Sequence, residues 1–382
     1  MFYIIIYVEG EGVMKKLLVT VVGVFLLGAG AYNQIKEKTQ TQKSKDEDAH
    51  LLNEAKKFFQ PLPKVAENPE NPLTKEKIEL GKMLYHEPRL SKSGLISCNT
   101  CHNLASYGVD NLPTSIGHSW AVGPRNAPTV YNAALHIAQF WDGRAKDVEE
   151  QALGPILNPI EMAMPSEKEV IERLKSIPEY VEMFKKAFPN EKDPLRYENI
   201  GKAIAAFERT LMTPSRFDEF LKGNTKALTP EEKKGLKLFI ELDCVSCHSG
   251  PAIGGDAFLK FGQFVDYWKA TAPYVTIEKP TIPVDLGRFG VTKEEEDMFV
   301  FKASSLRNVE RTYPYFHDGS VWKLEDAVKI MAETQLNKKL TDEETRYIVA
   351  FLKSLTGQIP KHALELPLLP SSTAETPHPS TR

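Results

Sequence analysis

The sequence is poor in cysteine, in net charge and in strand signals. Four cysteines occur in 382 residues, too few for the disulfide lattice that holds small exported domains together. The formal net charge is −3 and charged residues make up 26%, so the chain carries no basic footprint for nucleic acid. The apolar run Leu17 to Ala31 spans about 15 residues, short of the roughly 20 needed to cross a bilayer as a helix. Alternating β-branched stretches are few and short, which leaves helix and loop as the main building material.

The apolar run follows Met14-Lys15-Lys16 and ends on Ala29-Gly30-Ala31. A basic start, a short apolar core and small terminal residues describe a secretory signal. The alternative is an uncleaved anchor, and Met14 is an alternative initiator. Residues 1–32 are assigned to this segment and the polar residues 33–50 to a flexible linker. The chain is thus expected in the periplasm, soluble or tethered at its N-terminus.

All four cysteines fall in two pairs, each followed by His. These are Cys98-Asn99-Thr100-Cys101-His102 and Cys244-Val245-Ser246-Cys247-His248. The spacing is that of c-type haem attachment: two thiols within one turn of chain for the porphyrin, and an imidazole for the proximal face of the iron. Two covalent haem c groups are expected, with His102 and His248 as proximal ligands. Zinc on the paired cysteines is the alternative, disfavoured by the adjacent His in both copies and by the export signal. Candidates for the opposite faces are His86, His118, His136, His317, Met162, Met164, Met298 and Met331. Spacing does not choose among them, and any one alone is more often a packing residue.

Each motif follows a similar stretch. Leu73-Thr74 opens a helix-like segment through Gly81 and Leu84, and Leu228-Thr229 opens another through Gly235 and Leu238. Thr229-Pro230-Glu231-Glu232 combines a hydroxyl N-cap, Pro at the first helical position and Glu at the third. The first copy carries an insert, His86 to Gly94. Apolar spacing of three and four predicts helices over Glu167–Phe188, Tyr197–Thr210 and Thr341–Leu355. The expected fold class is mainly α, with two cytochrome c-like domains and long loops. The boundary is placed at Thr213-Pro214-Ser215, dividing 51–212 from 213–364, and the Pro/Ser/Thr-rich residues 365–382 are expected to be disordered.

Longer strings resemble the bacterial di-haem cytochrome c peroxidases, over about residues 50 to 360. They include the first haem motif with Asn103-Leu104, Thr114-Ser115-Ile116-Gly117-His118 and Gly123-Pro124-Arg125-Asn126-Ala127-Pro128-Thr129. Phe140-Trp141-Asp142-Gly143-Arg144 and Pro314-Tyr315-Phe316-His317-Asp318-Gly319 complete the match. The resemblance implies that H2O2 is reduced to water at the His102 haem. Electrons would come from a small cytochrome c or a cupredoxin and enter at the His248 haem. It places His118 at the family's detachable distal ligand and Met331 at the distal ligand of the second haem. Trp141 matches the aromatic between the haems, and Glu161 with Gln151 the polar pair beside the peroxide site. Asn126, with backbone groups of Thr312 and Pro314, matches a calcium site. Homodimers are common in the family.

The chemistry of Glu161 suits the role, since a carboxylate above an iron can carry a proton from one peroxide oxygen to the other. His317 is expected to support the loop near the haem pair or calcium, and His86 and His136 to be structural. Two other readings stand beside the peroxidase. One is the related di-haem oxidase that matures methylamine dehydrogenase, which carries Tyr where Met331 lies. The other is a plain di-haem electron carrier. The segment Thr271 to Gly287 is long for the family, which leaves Met298 as second choice for the ligand assigned to Met331.

Overall fold

The computed structural model describes residues 42–274 and 284–381, together with Gln34 and Lys36. Two compact units divide the chain, 1–54 and 55–382. The apolar run expected to be a signal or anchor lies outside the described residues. No described helix is long and apolar enough to cross a membrane. In the first unit, residues 42–54 are helical and mostly exposed. The polar stretch read as a flexible linker is therefore helical from residue 42. Its side chains pair one turn apart, with Gln42 donating to Asp46 at 2.9 Å, the spacing that supports a solvated helix.

The second unit is built mainly from helices. In its first half, α1 (Lys75–Tyr85), α2 (Cys98–Cys101), α3 (Val148–Gln151), α4 (Glu167–Lys175), α5 (Pro178–Ala187) and α6 (Tyr197–Glu208) follow in order. Then come α7 (Arg216–Leu221), α8 (Pro230–Glu241), α9 (Leu324–Leu336) and α10 (Asp342–Ser354). The strands β1 (Phe258–Lys260) and β2 (Val300–Lys302) pair antiparallel, with Leu259 opposite Phe301. The single helix expected over Glu167–Phe188 is two. The break falls where Pro178, which has no N–H to continue the ladder, takes the first position of α5.

The repeat read from the sequence has a physical meaning. Helix α1 packs along α6, and α8 packs along α10. A methyl group at Gly81 would lie 1.8 Å from the Ala203 carbonyl oxygen, and one at Gly235 would lie 1.9 Å from that of Tyr347. Both glycines let two helix backbones touch, and each helix pair leads into a Cys-x-x-Cys-His motif. Helix α8 starts on the reciprocal Thr229/Glu232 cap that its sequence announced.

The first helix pair buries Leu80, Leu84, Ile200, Ile204 and Phe207, each contributing about 1.5–3 kcal/mol by leaving water. Phe59, Phe217, Phe351 and Phe239 form a second cluster, with ring centroids 5.2 Å apart for Phe217 and Phe351 and 5.3 Å for Phe239 and Phe351. Between the halves lies a buried polar node. Asp218 accepts two bonds from the fully buried Arg307, at 2.8 and 3.0 Å, and one from the Leu62 amide at 2.8 Å. Thr213, also fully buried, bonds Asn132 and Asn308. The halves therefore meet through satisfied buried groups rather than across a solvated linker.

Residues 365–381, expected to be disordered, hold defined partners. Arg89, in the insert of the first copy, donates to the Pro370 carbonyl at 2.8 Å and the Ser372 hydroxyl at 3.0 Å. Thr373 and Thr376 bond Ser176, and the Ser380 amide reaches the Lys92 carbonyl. The composition of the tail gives no hint of these partners, because they lie about 200 residues or more away in sequence.

Candidate haem sites

The first motif forms a single helical turn, α2, closed at its start by reciprocal bonds between Ser97 and Thr100. Three-residue spacing on a helix puts Cys98 and Cys101 on one side. His102 ends the turn, and its Nδ1 lies 2.9 Å from the Pro128 carbonyl oxygen. A carbonyl only accepts, so Nδ1 carries the proton and Nε2 is left bare for a metal. Burial lowers the pKa of His102, which favours that neutral imidazole. Tyr85 donates to the His102 carbonyl at 2.6 Å and fixes the backbone.

His118 sits in a short loop, buried to 7% exposure, with no partner for its Nδ1. The loop lies on the one that carries Glu161. The His118 amide donates to the Glu161 carbonyl at 2.8 Å, and a methyl at Gly117 would come within 2.0 Å of the Ile160 carbonyl oxygen. Ser119 and Trp120 both take left-handed backbone conformations, φ 53° and 65°, at about 1–3 kcal/mol each. Asn158 donates to Glu161 Oε1 at 2.6 Å. Burial raises the pKa of Glu161, and the nearby Arg144 charge and the Asn158 bond offset only part of that rise. Gln151 closes α3, half-buried, and no hydrogen bond among the described residues joins its side chain to Glu161.

The second motif opens into an apolar cavity. Cys244, Cys247, His248 and Met331 all line it, with Phe239, Ile348 and Leu352 from the second helix pair. His248 repeats the arrangement of His102: its Nδ1 lies 3.1 Å from the Ser304 carbonyl oxygen, so Nε2 is again the bare nitrogen. Met331 lies in the middle of α9. Met298 is not among the lining residues, and Met162 and Met164 are buried in the core of the first half.

The two sites approach each other through a short stretch of chain. Pro128, whose carbonyl holds His102, also lines the second cavity, as do Trp141 and Asn126. The Trp141 indole donates to the Asn126 carbonyl at 2.9 Å. Asn126 donates one side-chain amide hydrogen to the Leu112 carbonyl at 2.9 Å, and its Oδ1 is the ligand-capable atom. Thr312 and Pro314 line the same cavity. His317 is buried against Phe301, ring centroids 4.3 Å apart, and its carbonyl accepts from the Asn126 amide. His86 caps α1. His136 lies near Lys302, a residue the sequence reading did not single out. Nor did it single out the supporting roles of Asn158 and Arg144. An Asn-Pro pair three residues before Glu161 was the available signal for Asn158, whose side chain also accepts from the Ile160 amide.

Among the described residues no three His, Cys, Asp or Glu gather as a metal ion would require. A family model described as di-haem cytochrome c peroxidase matches residues 75–226. The cytochrome c551 peroxidase of Pseudomonas aeruginosa is 49% identical over 337 residues, 86% of this chain and 92% of that protein. That of Nitrosomonas europaea is 52% identical over 301 residues, 78% and 85% of the two chains. The chain belongs to the di-haem cytochrome c peroxidase family. Its activity is that of an oxidoreductase acting on peroxide, and its two Cys-x-x-Cys-His motifs are consistent with two haem c groups. A solved structure of a MauG-like protein associated with microbial copper homeostasis aligns with TM-score 0.68 and 30% identity, covering 80% of this chain and 97% of that one. The diheme peroxidase BthA from Burkholderia thailandensis aligns with TM-score 0.61 and 20% identity, covering 82% of this chain and 94% of that one, so the mainly helical architecture is that of a di-haem peroxidase.

Proposed function

We propose that the chain reduces hydrogen peroxide to water at the His102 site, with electrons that enter at the His248 site from a small cytochrome c or a cupredoxin. Bound haem supplies electron storage at both sites and a peroxide-binding metal at the first. The protein supplies the asymmetry between them, and one observation carries the reading. Close enough to the first motif for the Glu161 charge to act on Cys98 and Cys101, a buried histidine on a strained loop is docked on the loop of that carboxyl, whose pKa is raised, whereas the second motif shares its cavity with a mid-helix thioether.

In this reading Glu161 accepts a proton from the incoming peroxide and returns it to the departing oxygen. Asn158 orients the carboxylate for both steps, and Gln151 is its polar companion. His118 covers the first site until its loop lets go, and Met331 caps the second permanently. Trp141 stands between the two, held by the Asn126 carbonyl. Asn126 Oδ1 and the carbonyls of Thr312 and Pro314 suit a calcium ion, which takes hard oxygen ligands. Residues 51–212 then form the peroxidatic domain and 213–364 the electron-transfer domain, working in the periplasm as a homodimer.

The test is turnover of the holoprotein with calcium, pre-reduced at its second site, using peroxide and a reduced cytochrome c. Glu161→Gln should still bind peroxide and lose about 10²–10⁴-fold in rate, the usual contribution of a positioned acid/base. Full activity in Glu161→Gln would remove the carboxylate from the mechanism.

A further inference from the structure

Lys302 ends β2 and is only 8% exposed. Of the other buried cations described, Arg307 meets Asp218 and Arg209 meets Glu149, and the less buried Arg125 meets Asp142 and Asp285. Arg173 is spent on two backbone carbonyls. Lys302 has neither kind of partner among the described residues. Its Nζ lies 3.1 Å from His136 Nδ1, and both residues line the cavity that holds Cys244, Cys247 and His248.

That pairing leaves donors in excess. An ammonium has no lone pair, so Lys302 donates to His136 Nδ1, and the ring proton then sits on Nε2. Nε2 is shielded from solvent and meets no acceptor. The ring cannot easily turn away. A methyl at Gly255 would lie 2.2 Å from its Cδ2, and the Ile137 amide is bonded to the Gly255 carbonyl. Two donor groups, fixed on one wall and short of acceptors, match an anion with two oxygens. Burying an ammonium without such a counter-ion is costly.

We propose that Lys302 and His136 hold a propionate of the haem attached at Cys244 and Cys247. The Lys302 ammonium thereby helps set that haem's reduction potential. The inference rests on haem attachment at the second motif. Adding an electron beside a buried positive charge is favourable, so the lysine raises the potential and helps the second site hold its electron. Without an acid, burial depresses the pKa of Lys302 to about 8; a carboxylate alongside holds it charged. The Lys302 amide also donates to the Trp141 carbonyl at 2.8 Å. The lysine thus ties the propionate to the strand position next to the tryptophan between the sites.

The experiment compares the wild-type holoprotein with Lys302→Met. Haem content is measured by pyridine haemochrome, and the midpoint potential of the second haem by spectroelectrochemical titration. The expected result is two haems per chain and a midpoint lower by at least 59 mV, a tenfold change in the reduced-to-oxidised ratio. An unchanged midpoint with both haems present would overturn the inference. Should Lys302→Met fail to take up the second haem, His136→Leu leaves the lysine in place, removes the ring donor and acceptor, and carries the same readout. There a fall supports the propionate contact and no change overturns it. A wild-type chain with only one haem would instead refute the two-site reading itself, which separates the two failures.

Discussion

Replacing Gly235 by alanine should destabilise the protein, against the usual effect of that change. In an exposed helix interior, Gly to Ala gains about 1 kcal/mol. At Gly235 the new methyl would lie 1.9 Å from the Tyr347 carbonyl oxygen, 2.7 Å from its carbon and 2.8 Å from Phe351 Cβ. Ordinary contact begins near 3.4 Å, so α8 and α10 must part locally by about 1.5 Å, since a backbone carbonyl cannot swing aside as a side chain can. Overpacking of this kind costs about 1–3 kcal/mol. The separation also loosens Phe239, Ile348 and Leu352 on the cavity wall. Gly290→Ala is the control, since nothing lies within 4 Å of its added methyl. Thermal unfolding of the holoprotein by circular dichroism should show Gly235→Ala melting several degrees lower and Gly290→Ala close to wild type. Gly81→Ala, 1.8 Å from the Ala203 carbonyl oxygen, should behave like Gly235→Ala. A higher melting temperature for Gly235→Ala would refute the close crossing.

Two further outcomes concern buried charge. Asp218→Asn leaves the fully buried Arg307 without its counter-ion and should lower stability by about 3–5 kcal/mol, read from denaturant midpoints. Burial alone would raise the pKa of Asp218, but the Arg307 charge and its hydrogen bonds outweigh that and hold it low. The pair's contribution is therefore complete above the unfolded carboxylate value of about 3.9 and is lost as acid protonates the folded carboxylate. Glu208 has the opposite sign. Burial first, and Glu149 second, push its pKa up to about 8 against the pull of Arg209. It favours the folded state fully below the unfolded value of about 4.3, and that support disappears as pH climbs towards 8. Glu208→Gln should thus gain more in melting temperature at pH 8 than at pH 5.5, and equal gains at both would disprove the shift.

What could be read from the chain was whatever its chemistry settles locally. The cap at Thr229 and Glu232 involves residues three apart, and the haem motifs are five residues long. Both appear in the structure where the sequence put them. The break at Pro178 was visible as a proline, yet the apolar spacing ran on through it and hid the boundary. The tail shows the limit of composition. Ser372 and Thr376 read as disorder until Arg89 and Ser176 are brought beside them by the fold. Lys302 was not legible at all, because nothing in a single sequence marks a lysine as buried. The same holds for the supports of the two motif histidines, since the Pro128 and Ser304 carbonyls lie 26 and 56 residues away.

Those supports are alike, and the likeness locates the difference between the sites. Both motif histidines give Nδ1 to a backbone carbonyl and keep Nε2 bare, so the proximal side does not distinguish them. In the proposed reading the opposite side does. Met331 sits midway along α9, a helix of 13 residues with no left-handed residue inside it, and lines the second cavity. The His118 loop is held by few backbone bonds, among them His118 to Glu161 and Gly117 to Ala121, each worth about 0.5–1.5 kcal/mol net. Against them stand two left-handed residues, Ser119 and Trp120, whose strain of about 1–3 kcal/mol each is released when the loop moves, and Trp120 is already 84% exposed. The opposing contributions are of similar size, so in the proposed reading a modest change in the affinity of the first site for His118 tips the loop.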